Sequence, residues 1–250
     1  MKCDRKMCDN QAWDRVDPDE SALNQSALQF RHEVKHEISA SDIPVLRQSL
    51  RAVMKPDPHA IDGRYEIRSL YFDNLDDKAL LEKLNGVDIR EKYRIRLYNN
   101  DPSTIRLERK FKRGGLGRKS VVPLTPQQAQ AIADGNIEWM ARCTDEVLLG
   151  FYTRIRSEGL KAKVIVDYIR EPFVFAPGNV RVTLDYGIRT GIRCTDFLNP
   201  NCVTVPAPDS PCILEVKWDS FLPDVVRGAV QLESRHSIAF SKYAACRMYD

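Results

Sequence analysis

The sequence predicts an α+β domain dominated by antiparallel sheet, and three observations carry that expectation. Segments rich in β-branched and aromatic residues recur along the chain with alternating polarity. Several are joined by short turns, which makes sequence neighbours pair antiparallel. Helical patterns are few, so about seven or eight strands form the body and helices flank it.

In order, RHEVKHEIS (31–39) alternates as a strand, and Ser41 or Asp42 then caps a helix with Pro44 in its first turn, running towards Met54. After a loop rich in Pro and Asp, RYEIRSLYFDN (64–74), KYRIRLY (92–98) and TIRLERKFK (104–112) read as strands, with NNDPS as a turn between the last two. Gly114-Gly115-Leu116-Gly117 lacks the strand-to-helix setting of a phosphate loop and reads as a hairpin tip. Thr125-Pro126-Gln127-Gln128 is a capping box opening a helix over 129–134, and a longer helix covers Glu146–Glu158 with Gly159 ending it. Strands return at KAKVIVDYIR (161–170), NVRVTLDYGIR (179–189) and CILEVKW (212–218), before a last helical stretch over 240–248. The first 29 residues are polar, without periodicity, and are expected to form a flexible leader to a domain spanning 30–250.

A hydrophobic content of 43% in 250 residues is ample for a packed core. The 38 Lys+Arg against 35 Asp+Glu leave a net charge of only +3, so bulk charge argues against a nucleic-acid coat or membrane-surface protein. The amino terminus lacks the apolar stretch of a signal peptide, and a cytoplasmic location is expected. Seven scattered cysteines fit reduced thiols, and His32, His36, His59 and His236 show no ligand spacing.

Charge is arranged by strand parity. Lys92, Arg94 and Arg96 share one face of KYRIRLY, while Tyr93, Ile95 and Leu97 share the other. The same parity holds Glu33 and Lys35; Arg106, Glu108, Lys110 and Lys112; Tyr168 and Arg170; Arg181, Thr183 and Asp185; and Glu215 and Lys217, with Arg109 as the exception on the apolar side. A solvated face mixes Lys, Glu, Thr and Ser, whereas Arg predominates here, and Arg grips phosphate bidentately. If the sheet curls until these faces meet, they line a tunnel suited to a polyanion.

The ordered motifs HEVK, RSLYFDN, KYRIRLY, LERKFK, GRKS, DYIREPF, RVTLD, ILEVKW and FSKY resemble the polyphosphate polymerase domain of the vacuolar transporter chaperone (VTC) family. That family is part of the triphosphate tunnel metalloenzyme (CYTH-like) superfamily. The resemblance spans about residues 30–247 and implies an antiparallel β-barrel-like tunnel with flanking helices. It further implies a metal-dependent transferase that moves the γ-phosphate of ATP onto inorganic polyphosphate. Lys35, Arg94, Arg96, Lys110, Arg170, Arg181 and Lys242 are then the catalytic lining. Lys119, Lys112, Tyr168 and Ser241 contact phosphate, and Glu215 holds Mn²⁺ or Mg²⁺. Strand parity only partly separates Lys110 from Lys112 and Lys119 from Arg118.

The superfamily's E-x-E-x-K motif is here Arg31-His32-Glu33-Val34-Lys35, a change that the polymerase branch tolerates. A triphosphate hydrolase and a non-catalytic polyphosphate-binding module are the alternatives. Nucleic acid is disfavoured, because stacking aromatics are not interleaved with the basic positions apart from Tyr168. The membrane segments of eukaryotic members are not recognised, so a bacterial-type relative with a separate membrane protein partner is expected.

Overall fold

The computed structural model describes residues 31–208, 211–231 and 236–248. The leader of the first 29 residues lies outside the described residues. In chain order the elements are β1 (His32–Ile38), α1 (Asp42–Val53), β2 (Lys55–Pro56), β3 (Tyr65–Asp73), α2 (Lys78–Leu84), β4 (Arg90–Tyr98), β5 (Asp101–Arg113) and β6 (Leu116–Pro123). Then follow α3 (Pro126–Ala133), a 3₁₀ turn (Glu138–Arg142), α4 (Glu146–Glu158), β7 (Lys161–Phe175), β8 (Val180–Thr190), β9 (Val205–Pro206), β10 (Cys212–Trp218), α5 (Asp224–Ala229) and α6 (Lys242–Arg247).

Eight strands form one antiparallel sheet in the order β1-β10-β8-β7-β3-β4-β5-β6, while the two-residue strands β2 and β9 pair with β7 and β8. The sheet curls until its edges touch, where Arg31 bridges to Gly117 of β6. Curling gives every strand an inner and an outer face, so the parity of a residue decides whether it joins the tunnel or the outer core.

The outer face carries most of the apolar core. Tyr93, Ile95, Leu97 and Leu107 pack with Ile132 of α3 and with Leu148 and Phe151 of α4. On the opposite wall, Val182, Leu184, Leu214 and Val216 pack under Ile43, Leu46 and Leu50 of α1. Arg109, the exception to the parity pattern, faces outward and pairs with Glu91 at 2.7 Å. A third cluster lies on the tunnel side of β3 and β7, where Ile67, Tyr71, Val164, Val166 and Tyr168 meet Tyr243 of α6.

The local signals worked where backbone chemistry was explicit. Thr125 and Gln128 form the reciprocal capping box, and Gly159 ends α4 in the left-handed conformation. At α1 the cap differs: Ser39 Oγ accepts from the Asp42 amide at 3.2 Å, the Asp42 carboxylate accepts from the Ser39 amide at 2.8 Å, and Ser41 makes no side-chain cap. The NNDPS turn shrinks to Asn99-Asn100, with φ of 53° and 54°. Gly114-Gly115 alone, with φ of 59° and 75°, turns β5 into β6, so Leu116 and Gly117 belong to a strand. Both are two-residue hairpins whose positive φ values match strand twist. Helix α2, absent from the sequence expectation, is capped from a distance, since the Asp73 carboxylate accepts from the Ala79 and Leu80 amides at 2.9 and 3.1 Å.

Phe151 joins α4 to the barrel wall, stacked 4.7 Å from Tyr93 and edge-on to Phe72 at 5.0 Å. Phe151→Ala is expected to lower the free energy of unfolding by about 3–5 kcal/mol in urea titration, with the m-value unchanged.

Candidate functional site: a basic tunnel with four inward carboxylates

The inward parity places cations from seven segments within one charge network. On β4, Arg94 donates to Glu108 of β5 (2.6 Å) and to the Tyr71 hydroxyl (2.8 Å). Arg96 stands 3.7 Å from the same carboxylate and donates to Ser69 Oγ (3.1 Å) and the Tyr168 hydroxyl (3.0 Å). Lys119 of β6 reaches Glu108 at 3.7 Å, whereas Arg118 is exposed on the other parity. Lys110 donates to Glu33 of β1 at 3.0 Å, while Lys112 lies two residues further along, opposite Gly117 and beside the hairpin turn.

Across the barrel, Lys35 sits 2.8 Å from Glu33 and 3.7 Å from Glu215, and Lys217 contacts Glu215 at 2.5 Å. Arg170 grips Asp185 with two bonds of 2.7 and 2.8 Å, and Lys242 reaches the same carboxylate at 2.6 Å. The Tyr168 ring lies among three cations, with Lys242 4.6 Å, Arg170 5.5 Å and Arg96 5.9 Å from its centroid. Ser241 caps α6 and accepts from Lys92 at 3.3 Å, which leaves its own proton available to an acceptor. Arg181 stands somewhat apart: its parity is inward, but its guanidinium pairs with Asp57 at 3.2 Å.

These pairings move the titrations in a consistent direction. Burial pushes the Glu215 carboxyl up, but Lys217, Lys35 and Arg170 more than offset it and hold the group well below the usual range. Glu33, Glu108 and Asp185 are lowered by the same contest of burial against adjacent cations. Lys35 loses to burial but gains more from Glu215 and Glu33, and its pKa rises. Lys92 goes the other way. Burial and then Lys110, Lys83, Arg90 and Lys35 press it down to about 7, and among the described residues no carboxylate lies against it.

The VTC domain profile matches residues 30–249. The chain belongs to the VTC domain family. Among solved structures, the fold is similar to a Hippeastrum protein described as the putative adenylyl cyclase HpAC1 with a dominant triphosphatase activity, at 15% identity and a TM-score of 0.50 over 86% of this chain and 94% of that one. A putative adenylate cyclase from Bacillus halodurans overlaps at 12% identity and a TM-score of 0.46, over 82% of this chain and 88% of that one. No curated protein matched in sequence comparison. No helix among the described residues is long and apolar enough to cross a membrane.

Within this VTC domain, the predicted set omitted Lys92, Tyr71, Lys217 and the carboxylates Glu33, Glu108 and Asp185, which take part in this network, and Thr183, which lies opposite Glu215 in the ladder. All but Tyr71 could have been found from strand parity. Among the described residues no three His, Cys, Asp or Glu side chains form a metal cage. The donors around Glu215 nonetheless suit a hard divalent ion that draws most ligands from phosphate and water. The Lys35 ammonium already bridges Glu33 and Glu215, so a cation is favoured there. Opposite Glu215 in the ladder, the buried Thr183 Oγ1 has no hydrogen-bond partner among the described residues.

Glu108 neutralises three cations at once, so Glu108→Gln should leave buried charge uncompensated and cost about 3–5 kcal/mol in urea unfolding at pH 7. Its folded pKa lies below the unfolded value near 4.5, so its stabilisation is complete above that pH and lost on acidification through the folded value. The gap between wild type and variant should therefore narrow below about pH 4.

Proposed function

We propose that this VTC domain is a metal-dependent polyphosphate polymerase, transferring the γ-phosphate of ATP to a growing inorganic polyphosphate chain. A terminal phosphate oxygen of the chain attacks the γ-phosphorus, the bond to the β-phosphate oxygen breaks, and ADP leaves. One observation carries this reading. Lys92, Lys110 and Lys119 stand directly opposite one another across β4, β5 and β6, and Arg96 stands opposite Arg106. Like charges placed so are destabilising unless an anion lies between them.

In this reading Arg94, Arg96, Lys110, Lys119, Arg170 and Lys242 grip the transferred and neighbouring phosphoryl groups. Lys35 and Arg181 extend the lining, Lys112 meets the chain at the rim, and Tyr168 and Ser241 donate hydrogen bonds. Glu215, with Glu33 and Thr183 near, holds Mn²⁺ or Mg²⁺, which when bound supplies charge neutralisation at phosphate oxygens. Phosphoryl transfer asks chiefly for positioning and neutralisation, and a cation-lined enclosure supplies both. Arg31, which replaces the first glutamate of the superfamily motif, is held at the rim by Asp219 at 2.6 Å and adds no carboxylate to the tunnel. The triphosphatase activity named for the Hippeastrum protein makes hydrolysis the second reading.

Incubation with γ-labelled ATP and Mn²⁺ should yield gel-resolved labelled polymer and ADP, whereas hydrolysis yields labelled orthophosphate alone. Glu215→Ala should abolish polymer, and Arg94→Ala should lower kcat by ~10²–10³-fold. Polymer formed equally well by Glu215→Ala would overturn the metal assignment.

Lys92 loses its proton near pH 7 and Lys110, pulled up by Glu33 but pressed down by burial, Lys35 and Lys217, near about 8. A polyanion against them favours the charged forms. Tripolyphosphate binding should therefore take up protons above pH 7 and weaken as pH rises, with the effect fading below about pH 6. Calorimetry in buffers of different ionisation enthalpy reads the uptake, and Lys92→Met should remove the larger part of it.

A further inference from the structure

Cys194 and Cys202 were expected to be separate reduced thiols, yet the fold brings their sulfurs to 2.8 Å. That is within an ångström of the ~2.05 Å of a disulfide bond. Two independent turns hold them there. The Cys194 amide donates to the Gly191 carbonyl at 2.8 Å, and the Cys202 amide donates to the Asn199 carbonyl at 3.1 Å.

The segment between them is anchored as well. Phe197 is 1% exposed and inserted in the outer core beside Ile165, and Arg68 donates to the Asn199 carbonyl at 2.6 Å while gripping Asp167 with bonds of 3.0 and 2.9 Å. Both cysteines keep partial solvent exposure, so a small disulfide can reach them. Neither belongs to the tunnel.

We infer that Cys194 and Cys202 form a redox-active pair that closes to an intramolecular disulfide and fastens the loop between β8 and β9. The co-reactant is a small-molecule disulfide. One cysteine thiolate attacks a sulfur of oxidised glutathione, and a glutathione thiolate leaves and takes the proton. The second cysteine then attacks the mixed disulfide, and a second glutathione leaves the same way. Two thiols are oxidised and one disulfide is reduced to two thiols.

Burial, together with the contact to Cys194, pushes the Cys202 thiol up to about 12. Oxidation should therefore be slow at neutral pH and faster as pH rises.

The test uses the full chain. Tryptic cleavage after Arg193 and Lys217 yields one peptide with both cysteines and Cys212, so Cys212→Ser leaves only the pair. After treatment with oxidised glutathione and alkylation, that peptide should be unalkylated and lighter by two hydrogens than the reduced form. Cys202→Ser in the same background should instead show a modified or alkylated Cys194.

Closing so short a loop should also raise Tm by roughly 5 °C or more, a shift absent from the Cys202→Ser chain. Alkylation of both sulfurs, or a persistent glutathione adduct in place of ring closure, would overturn the inference. A closed bond with an unmoved Tm would overturn the fastening role.

Discussion

Neutralisation of inward-pointing cations by a few buried carboxylates is the constraint on which the rest of this barrel depends. Two unit charges 4 Å apart interact by about 4 kcal/mol at an effective dielectric near 20, so a crowd of lysines and arginines on a closed wall cannot stand alone. Glu108 is placed where Arg94, Arg96 and Lys119 converge, Asp185 between Arg170 and Lys242, and Glu33 and Glu215 around Lys35. Arg94–Glu108, Lys35–Glu215 and Arg170–Asp185 reinforce ladder partners, whereas Lys110 on Glu33 and Lys242 on Asp185 tie the wall across positions the backbone ladder does not connect.

The compensation is incomplete, and that incompleteness gives the tunnel its chemistry. Were every cation matched, a phosphate chain would have to displace carboxylates one by one. Instead Lys92 has a hydroxyl and an aromatic face as neighbours, with its nitrogen 3.3 Å from Ser241 Oγ and 5.4 Å from the Tyr243 ring centroid. Lys110 shares Glu33 with Lys35. A polyanion entering beside them would meet cations already held in place by the fold, so it would relieve repulsion as it binds.

Strand alternation made much of this legible. Arg94, Arg96, Lys110, Arg170 and Glu215 could be read as one inward parity of a curled antiparallel sheet, although parity does not tell Lys110 from Lys112, and the same rule explains why Arg109 had to find Glu91 outside. Contacts made by long-range topology left no local signal. Asp57 follows a two-residue strand and becomes the partner of Arg181, and Asp73 at the end of β3 caps α2 while accepting from the Tyr243 hydroxyl at 2.7 Å. Helix α2 escaped notice because its cap is not adjacent to it, and Asp77, at φ 52°, stands at its start without capping. The Cys194–Cys202 contact is of the same kind, since it depends on how a loop returns over the sheet.

The dependence on topology is sharpest at α6. A six-residue helix has no stability of its own, because nucleation costs more than so few hydrogen bonds return. It is held by Tyr243 stacked 5.0 Å from Tyr71, by the bond from Tyr243 to Asp73, and by Arg247 paired with Asp77 at 3.0 Å. These anchors lie on β3 and around α2, whereas the groups α6 delivers, Ser241 and Lys242, face β4 and β8. The carboxyl-terminal cation of the network thus owes its place on Asp185 to anchors on β3 and around α2, so a fault in the distant Asp73 cap would be felt at the tunnel as a misplaced Lys242.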